Sequence, residues 1–117
     1  MSIHIFDASV MVAYLNGEPG AKVVETLLAD PNAECYAHSI NLCEVYYDAI
    51  RRTDVRRARA MIADLRAASV VERKVMNRRF WQRVGEHKAR GKISLPDCFC
   101  ISLAQELGGE VVTSDHG

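Results

Sequence analysis

The 117 residues, 49% hydrophobic and 26% charged, suffice for one domain with one real core that buries about two-thirds of its unfolded surface, which excludes a disordered tail. No apolar run approaches the ~20 residues of a membrane span, and MSIHIFDAS lacks a basic stretch leading into an apolar one, so a cytoplasmic protein without membrane attachment is expected. The formal net charge of zero hides a segregation: residues 1–50 hold seven acids and one base, residues 51–92 fourteen bases and four acids, and residues 93–117 four acids and no base. An acidic site beside a basic flank suits a polyanion that meets a metal, although solvated helix faces account for the basic part alone equally well.

Residues 3–6 form a short apolar strand ending at Asp7. Residues 9–16 have room for one or two helical turns, stopped by the Gly17 to Gly20 stretch with Pro19. Val23, Val24, Leu27 and Leu28 keep helical spacing up to the turn at Asp30, Pro31 and Asn32. A second strand is expected over 34–40. It leads into a helix whose buried face carries Leu42, Val45, Tyr46, Ala49 and Ile50. Ala58, Met61, Ile62 and Leu65 repeat that spacing, and a Val-rich strand is expected over 69–75. Met76, Phe80 and Val84 mark a helix that ends near Gly91. Cys100, Leu103, Ala104 and Leu107 mark the last one, closed by Gly108 and Gly109 before a fourth strand over 110–113. This alternation implies one α/β domain over residues 1–117, a parallel sheet of four strands flanked by helices. Cys35, Cys43, Cys98 and Cys100 occupy apolar helix and strand positions and read as reduced core thiols. Their spacing does not suit structural zinc.

In an open parallel sheet, sites form at the C-terminal edge, where strands deliver the chain to helices. Asp7 follows the first strand, Asn41 and Glu44 open the helix after the second, Asp97 opens the last helix and Asp115 closes the fourth strand. Each has a plainer role available. Asp7 or Ser9 suits an N-cap, Asn41-x-x-Glu44 and Ser94-x-x-Asp97 have capping-box spacing, and Asp115 suits a turn. Capping does not explain the set, because gathered carboxylates repel and raise one another's pKa unless a cation joins them. Oxygen donors without soft ligands favour Mg²⁺ or Mn²⁺.

Four motifs, HIFDAS at 4–9, SINLCEV at 39–45, KISLPDC at 92–98 and VVTSD at 111–115, resemble in order and spacing the PIN domains, above all the VapC-type ribonuclease toxins of bacterial toxin–antitoxin pairs. The resemblance spans residues 3–115. It implies a Mg²⁺- or Mn²⁺-dependent endoribonuclease with Asp7, Glu44, Asp97 and Asp115 as catalytic acids and Asp7 and Asp97 as metal ligands. It also implies Ser9, Asn41 and Thr113 as supports for those carboxylates, and a homodimer bound to a cognate antitoxin. The family continues past the last motif to a fifth strand, whereas this sequence stops at Gly117, so a sheet lacking its C-terminal strand is expected. A PIN-like domain that only binds RNA or protein is the alternative, and retention of all four acids weighs against it.

Eleven of the fifteen bases are arginine, which favours forked phosphate contacts over simple solubility. Arg51 and Arg52 in one cluster and Arg78 and Arg79 in the other are the expected RNA contacts. Trp81 offers a face for stacking a base, although a place in the core or a protein interface is slightly favoured, while Phe80 reads as core. Asp48, one turn after Glu44, is spaced to face the same cleft but reads rather as an exposed helix acid; His38 and His116 read as bystanders, and His4, alternating along a strand, as structural.

Overall fold

The structure, a computed structural model, describes residues 1–114. In chain order these form β1 (Ser2–Phe6), α1 (Ala8–Asn16), α2 (Ala21–Ala29), β2 (Ala33–His38), α3 (Ser39–Arg52), α4 (Val55–Ala67), β3 (Val71–Arg73), α5 (Arg78–Arg90), α6 (Leu95–Leu107) and β4 (Glu110–Val112). The strands lie in the order β3-β2-β1-β4, every neighbouring pair parallel. This is the expected α/β architecture, with β1 central.

Strand alternation divides the core between the two faces of the sheet. Phe6 joins Val10, Met11, Val24, Val45 and Leu65 on the side of α1 to α4. Its neighbour Ile5 joins Phe80, Val84, Phe99 and Leu103 on the side of α5 and α6. Helix ends follow local chemistry. Asp7 caps α1 and Gly17 ends it in the left-handed region, while Ser94 caps α6, with a proline in its first turn and a left-handed Gly108 at its end. Gly109 is needed for a different reason. A Cβ there would lie 2.7 Å from the Ile3 carbonyl oxygen, where the chain enters β4 against β1.

Two strands are shorter than the apolar runs suggest. β2 stops at His38 because its imidazole Nδ1 accepts the Ile40 amide at 3.0 Å and starts α3 at Ser39. β3 keeps only Val71–Arg73 of the expected 69–75. The Val70 amide is claimed by Leu65 at the end of α4, and the Val75 carbonyl by His38 Nε2 at 2.8 Å. Cys35, Cys98 and Cys100 are buried thiols as expected, but Cys43 is exposed, because the face of α3 that carries Asn41, Val45 and Ala49 turns inward and Cys43 points away from it. No helix among the described residues is long and apolar enough to cross a membrane.

Candidate active site

The strand order reverses at β1: the chain passes from it to β2 on one side, and β4 returns to its other side. The crevice beyond the C-terminal ends of β1 and β4 is where such sheets take ligands. Asp7 is buried there. Its Oδ1 accepts the Val10 amide at 2.9 Å and the Ser9 hydroxyl at 2.7 Å, and no described hydrogen bond reaches Oδ2. The same Ser9 hydroxyl lies 3.2 Å from Thr113 Oγ1 and accepts the Ser114 amide at 3.2 Å. Ser9 thus fastens the end of β4 to the start of α1 while orienting the Asp7 carboxylate.

Asn41 makes the second connection. Fully buried in α3, it donates from Nδ2 to the Pro96 carbonyl at 3.1 Å and, at a longer 3.5 Å, to Glu44 Oε1. It therefore ties the helix of Glu44 to the first turn of the helix that bears Asp97. Its Oδ1 is buried without a partner among the described residues, and buried polar atoms left in that state are rare. Glu44 is half-buried, and burial pushes its carboxyl above the ordinary range. The Asn41 bond pulls it back, and the charges of Asp97 and Asp7 push it up again. Glu44 thus senses both of the other carboxylates.

Asp7, Asp97 and Thr113 line one cleft of about 230 Å³ with Ile93, Cys100, Ile101 and Val111. Glu44 lines an adjoining one of about 350 Å³ with Ser9, Tyr47, Asp48, Arg52, Glu18 and Ser114 among its walls. Asp48 therefore faces this crevice, the less favoured of the two placements its spacing allows, and is not an exposed helix acid. Its position one turn after Glu44 was the available signal. Asn41 was legible as buried in the same way, four residues before Val45 and eight before Ala49 on the inward stripe. Asp115 and His116 lie outside the described residues.

The four arginines divide. Arg52 stands on the wall of the Glu44 cleft, 3.1 Å from Asp48 and 3.7 Å from Glu18, and Arg51 packs over the Tyr47 ring at 4.9 Å. Arg79 lines a separate polar cavity with Asn77, Arg83, Gln105 and Glu106, which shares no residue with either carboxylate cleft. Arg78 is exposed at the start of α5. His38 is a structural residue, stacked on Phe80 with ring centroids 5.4 Å apart, and Trp81 is half-exposed.

The fit to a divalent cation follows from these donors. Among the described residues no ion pair reaches Asp7, Glu44 or Asp97. Their oxygens are the ligands hard cations prefer. Among the described residues no three His, Cys, Asp or Glu side chains already close around one point, so the match lies in charge and donor type.

A four-stranded parallel sheet with helices on both faces, carrying acids at the reversal of its strand order, defines a doubly wound α/β domain with an acidic crevice. The PIN domain family model matches residues 5–117, and the chain belongs to that family. The fold is that of VapC toxins. VapC20 of Mycobacterium tuberculosis, a sarcin-ricin loop cleaving toxin, superposes with a TM-score of 0.76 at 20% identity, over 97% of this chain and 90% of that one. VapBC2 from Rickettsia felis, bound to a DNA fragment from its promoter, gives 0.74 at 18% identity over 97% and 88% of the two chains. VapBC-1 from nontypeable Haemophilus influenzae gives 0.71 at 16% identity over 97% and 87%. No curated protein matches the sequence significantly.

Proposed function

We propose that this chain is a Mg²⁺- or Mn²⁺-dependent endoribonuclease, the toxin of a type II toxin–antitoxin pair. The observation that carries the reading is the convergence of Asp7, Glu44 and Asp97 at the sheet edge with no described arginine or lysine paired to them. Asp7 and Asp97 would hold the ion, with Asp115 as the further acid the family pattern supplies. A divalent ion there stabilises the charge that builds on a phosphodiester under attack by water.

The chain's own residues do the positioning. Ser9 fixes Asp7 through Oδ1 and leaves Oδ2 without a described hydrogen bond, with Thr113 supporting Ser9 from just beyond β4. Asn41 holds Glu44 through Oε1, so its other oxygen is the one available to accept a proton from the attacking water. Arg51, Arg52, Arg78 and Arg79 supply phosphate contacts. Arg52 is the best placed, on the wall of the Glu44 cleft, and Arg79 serves a more distant part of the strand. RNA as substrate and a cognate antitoxin as partner are supported by the likeness to VapC20 and to the VapBC pairs. The large apolar residues Val23 and Tyr47, about half-exposed on α2 and α3, support a further protein contact such as a homodimer.

The test is cleavage of a mixed set of folded RNAs by purified protein with Mg²⁺ or Mn²⁺, alongside EDTA and Asp97→Asn controls. Metal-dependent cutting that disappears in the variant is the expected result. Absence of cutting together with absence of Mn²⁺ binding by calorimetry would replace this reading with that of a binding module.

A further inference from the structure

Arg79 and Arg83 stand one turn apart on α5 and line a polar cavity of about 380 Å³ with Asn77, Gln105 and Glu106, a volume in the range of small-ligand sites. Among the described residues no ion pair or hydrogen bond reaches either guanidinium, and Arg83 is half-buried. Like charges at this spacing on a helix repel, and a desolvated guanidinium ordinarily has an acidic partner. Glu106, the acid in the wall, is ion-paired to neither.

The two amides show what kind of group the cavity takes. Asn77 Oδ1 accepts the Phe80 amide at 2.9 Å as the N-cap of α5, and Gln105 Oε1 accepts from His87 Nε2 at 2.8 Å. Each side chain is thereby anchored through its oxygen, and its NH2 group, a donor only, has no described hydrogen bond. Two guanidiniums and two such amides make a wall rich in donors, with the Glu106 carboxylate as its remaining side-chain acceptor. The matching ligand carries acceptors and negative charge, and arginine forks suit the oxygens of a phosphate. The basic character also extends beyond the cavity, since residues 73–92 hold eight lysines and arginines against the single acid Glu86. It runs along α5 to the acidic crevice: Lys88 donates at 2.9 Å to the carbonyl of Ile93, which lines the cleft of Asp7 and Asp97, and Lys92 precedes Ile93 in the same loop. Gln105 follows Asp97 by eight residues, about 12 Å along α6. A row of bases over that distance suits a chain of phosphates better than a lone carboxylate.

We infer that Arg79, Arg83, Asn77 and Gln105 form a phosphate-binding site remote from the acids. An RNA strand that leaves the crevice along α5 carries such a phosphate, and so does a free phosphate ligand. The first source rests on the ribonuclease reading and extends it by a second anchoring point on the strand. The site itself does not depend on cleavage.

The experiment follows the side-chain NH signals of Asn77, Arg83 and Gln105 by heteronuclear NMR, with EDTA present. Inorganic phosphate or an oligoribonucleotide is added against a chloride blank of equal ionic strength. Saturable shifts are expected. Arg83→Gln should weaken phosphate affinity about tenfold, while Glu106→Gln, which removes the repelling charge, should tighten it. A merely structural role does not move affinity in opposite directions. With RNA, the plot of log K against log salt should lose about 0.7 of its slope in Arg83→Gln, the worth of one phosphate contact on a single strand. Shifts of these signals by RNA would assign the phosphate to the strand. Shifts by inorganic phosphate alone would assign it to a free ligand and remove Arg79 from the RNA contacts. No saturable shift by either ligand would overturn the site, and so would affinities that both substitutions leave unchanged. Metal-dependent cleavage judges the ribonuclease reading separately, so the two failures are distinguishable.

Discussion

Replacing Asn41 with alanine separates its structural duty from its duty to Glu44. The side chain contributes one well-formed bond to the Pro96 carbonyl at 3.1 Å, worth about 1 kcal/mol net, and a weak one at 3.5 Å to Glu44. Against this stands the buried, unpartnered Oδ1, whose desolvation already costs about 1–3 kcal/mol and which the substitution also removes. The two nearly offset, so Asn41→Ala should lose only about 1 kcal/mol in urea denaturation. Glu44 responds more strongly. The Asn41 bond is what lowers its carboxyl against burial and the charges of Asp97 and Asp7, so its removal raises the Glu44 pKa further. In a pH–rate profile of RNA cleavage, the acid limb should move to higher pH, with kcat/KM at neutral pH down by about tenfold. An acid limb that stays in place or moves to lower pH would refute the assignment of Asn41 to Glu44. A stability loss above about 4 kcal/mol would refute the offset that makes the residue expendable to the fold.

His38 should make stability depend on pH. Burial holds its pKa below the ordinary 6.5, with the Val75 hydrogen bond and the charge of Glu72 opposing, so the unfolded state binds the proton more readily. Stability should be fully present above about pH 6.5 and fall as pH drops below it, with a slope that His38→Phe flattens in urea titrations. Gly109→Ala should cost about 1–3 kcal/mol, because the new Cβ meets the Ile3 backbone, and thermal unfolding would show it as a lowered Tm. Asp7→Asn should keep the fold within about 1 kcal/mol, since asparagine caps helices as well as aspartate does, yet lose Mn²⁺ affinity by calorimetry. In the native protein only Cys43 should react with a thiol reagent, burial having pushed the Cys100 thiol up to about 12, and mass spectrometry after brief labelling would show it.

Sequence periodicity made the fold legible because each face of the sheet is covered, so apolar spacing had to match each element's geometry. Where side chains rather than backbone periodicity set an end, it failed. No run of valines reveals that His38 will claim the Val75 carbonyl and cap α3, which shortens both β2 and β3. The acids were legible as a set at strand ends, but their partners were not. That Ser9 reaches Thr113 and Asn41 reaches Pro96 depends on contacts across 104 and 55 residues of chain. The arginines were least legible of all. Composition drew Arg52 and Arg79 into one basic flank, and only packing shows the first on the wall of the carboxylate crevice and the second in another cavity.

Asp7 shows why the two readings of an acid at a strand end need not compete. A cap needs one carboxylate oxygen, and the Val10 amide and the Ser9 hydroxyl both converge on Oδ1. A ligand needs the other, and Oδ2 has no described hydrogen bond. The bonds that start α1 thereby fix the carboxylate at the crevice that Asp7 lines, so holding it there adds no ordering cost beyond that of folding. The same economy holds at α6, where Ser94 accepts the Asp97 amide and sets the first turn from which the Asp97 carboxylate reaches the cleft. Helix starts at the C-terminal edge of a parallel sheet thus supply both the positioning of these acids and their place in the crevice, which is why cap spacing coincides with the spacing of the proposed catalytic acids.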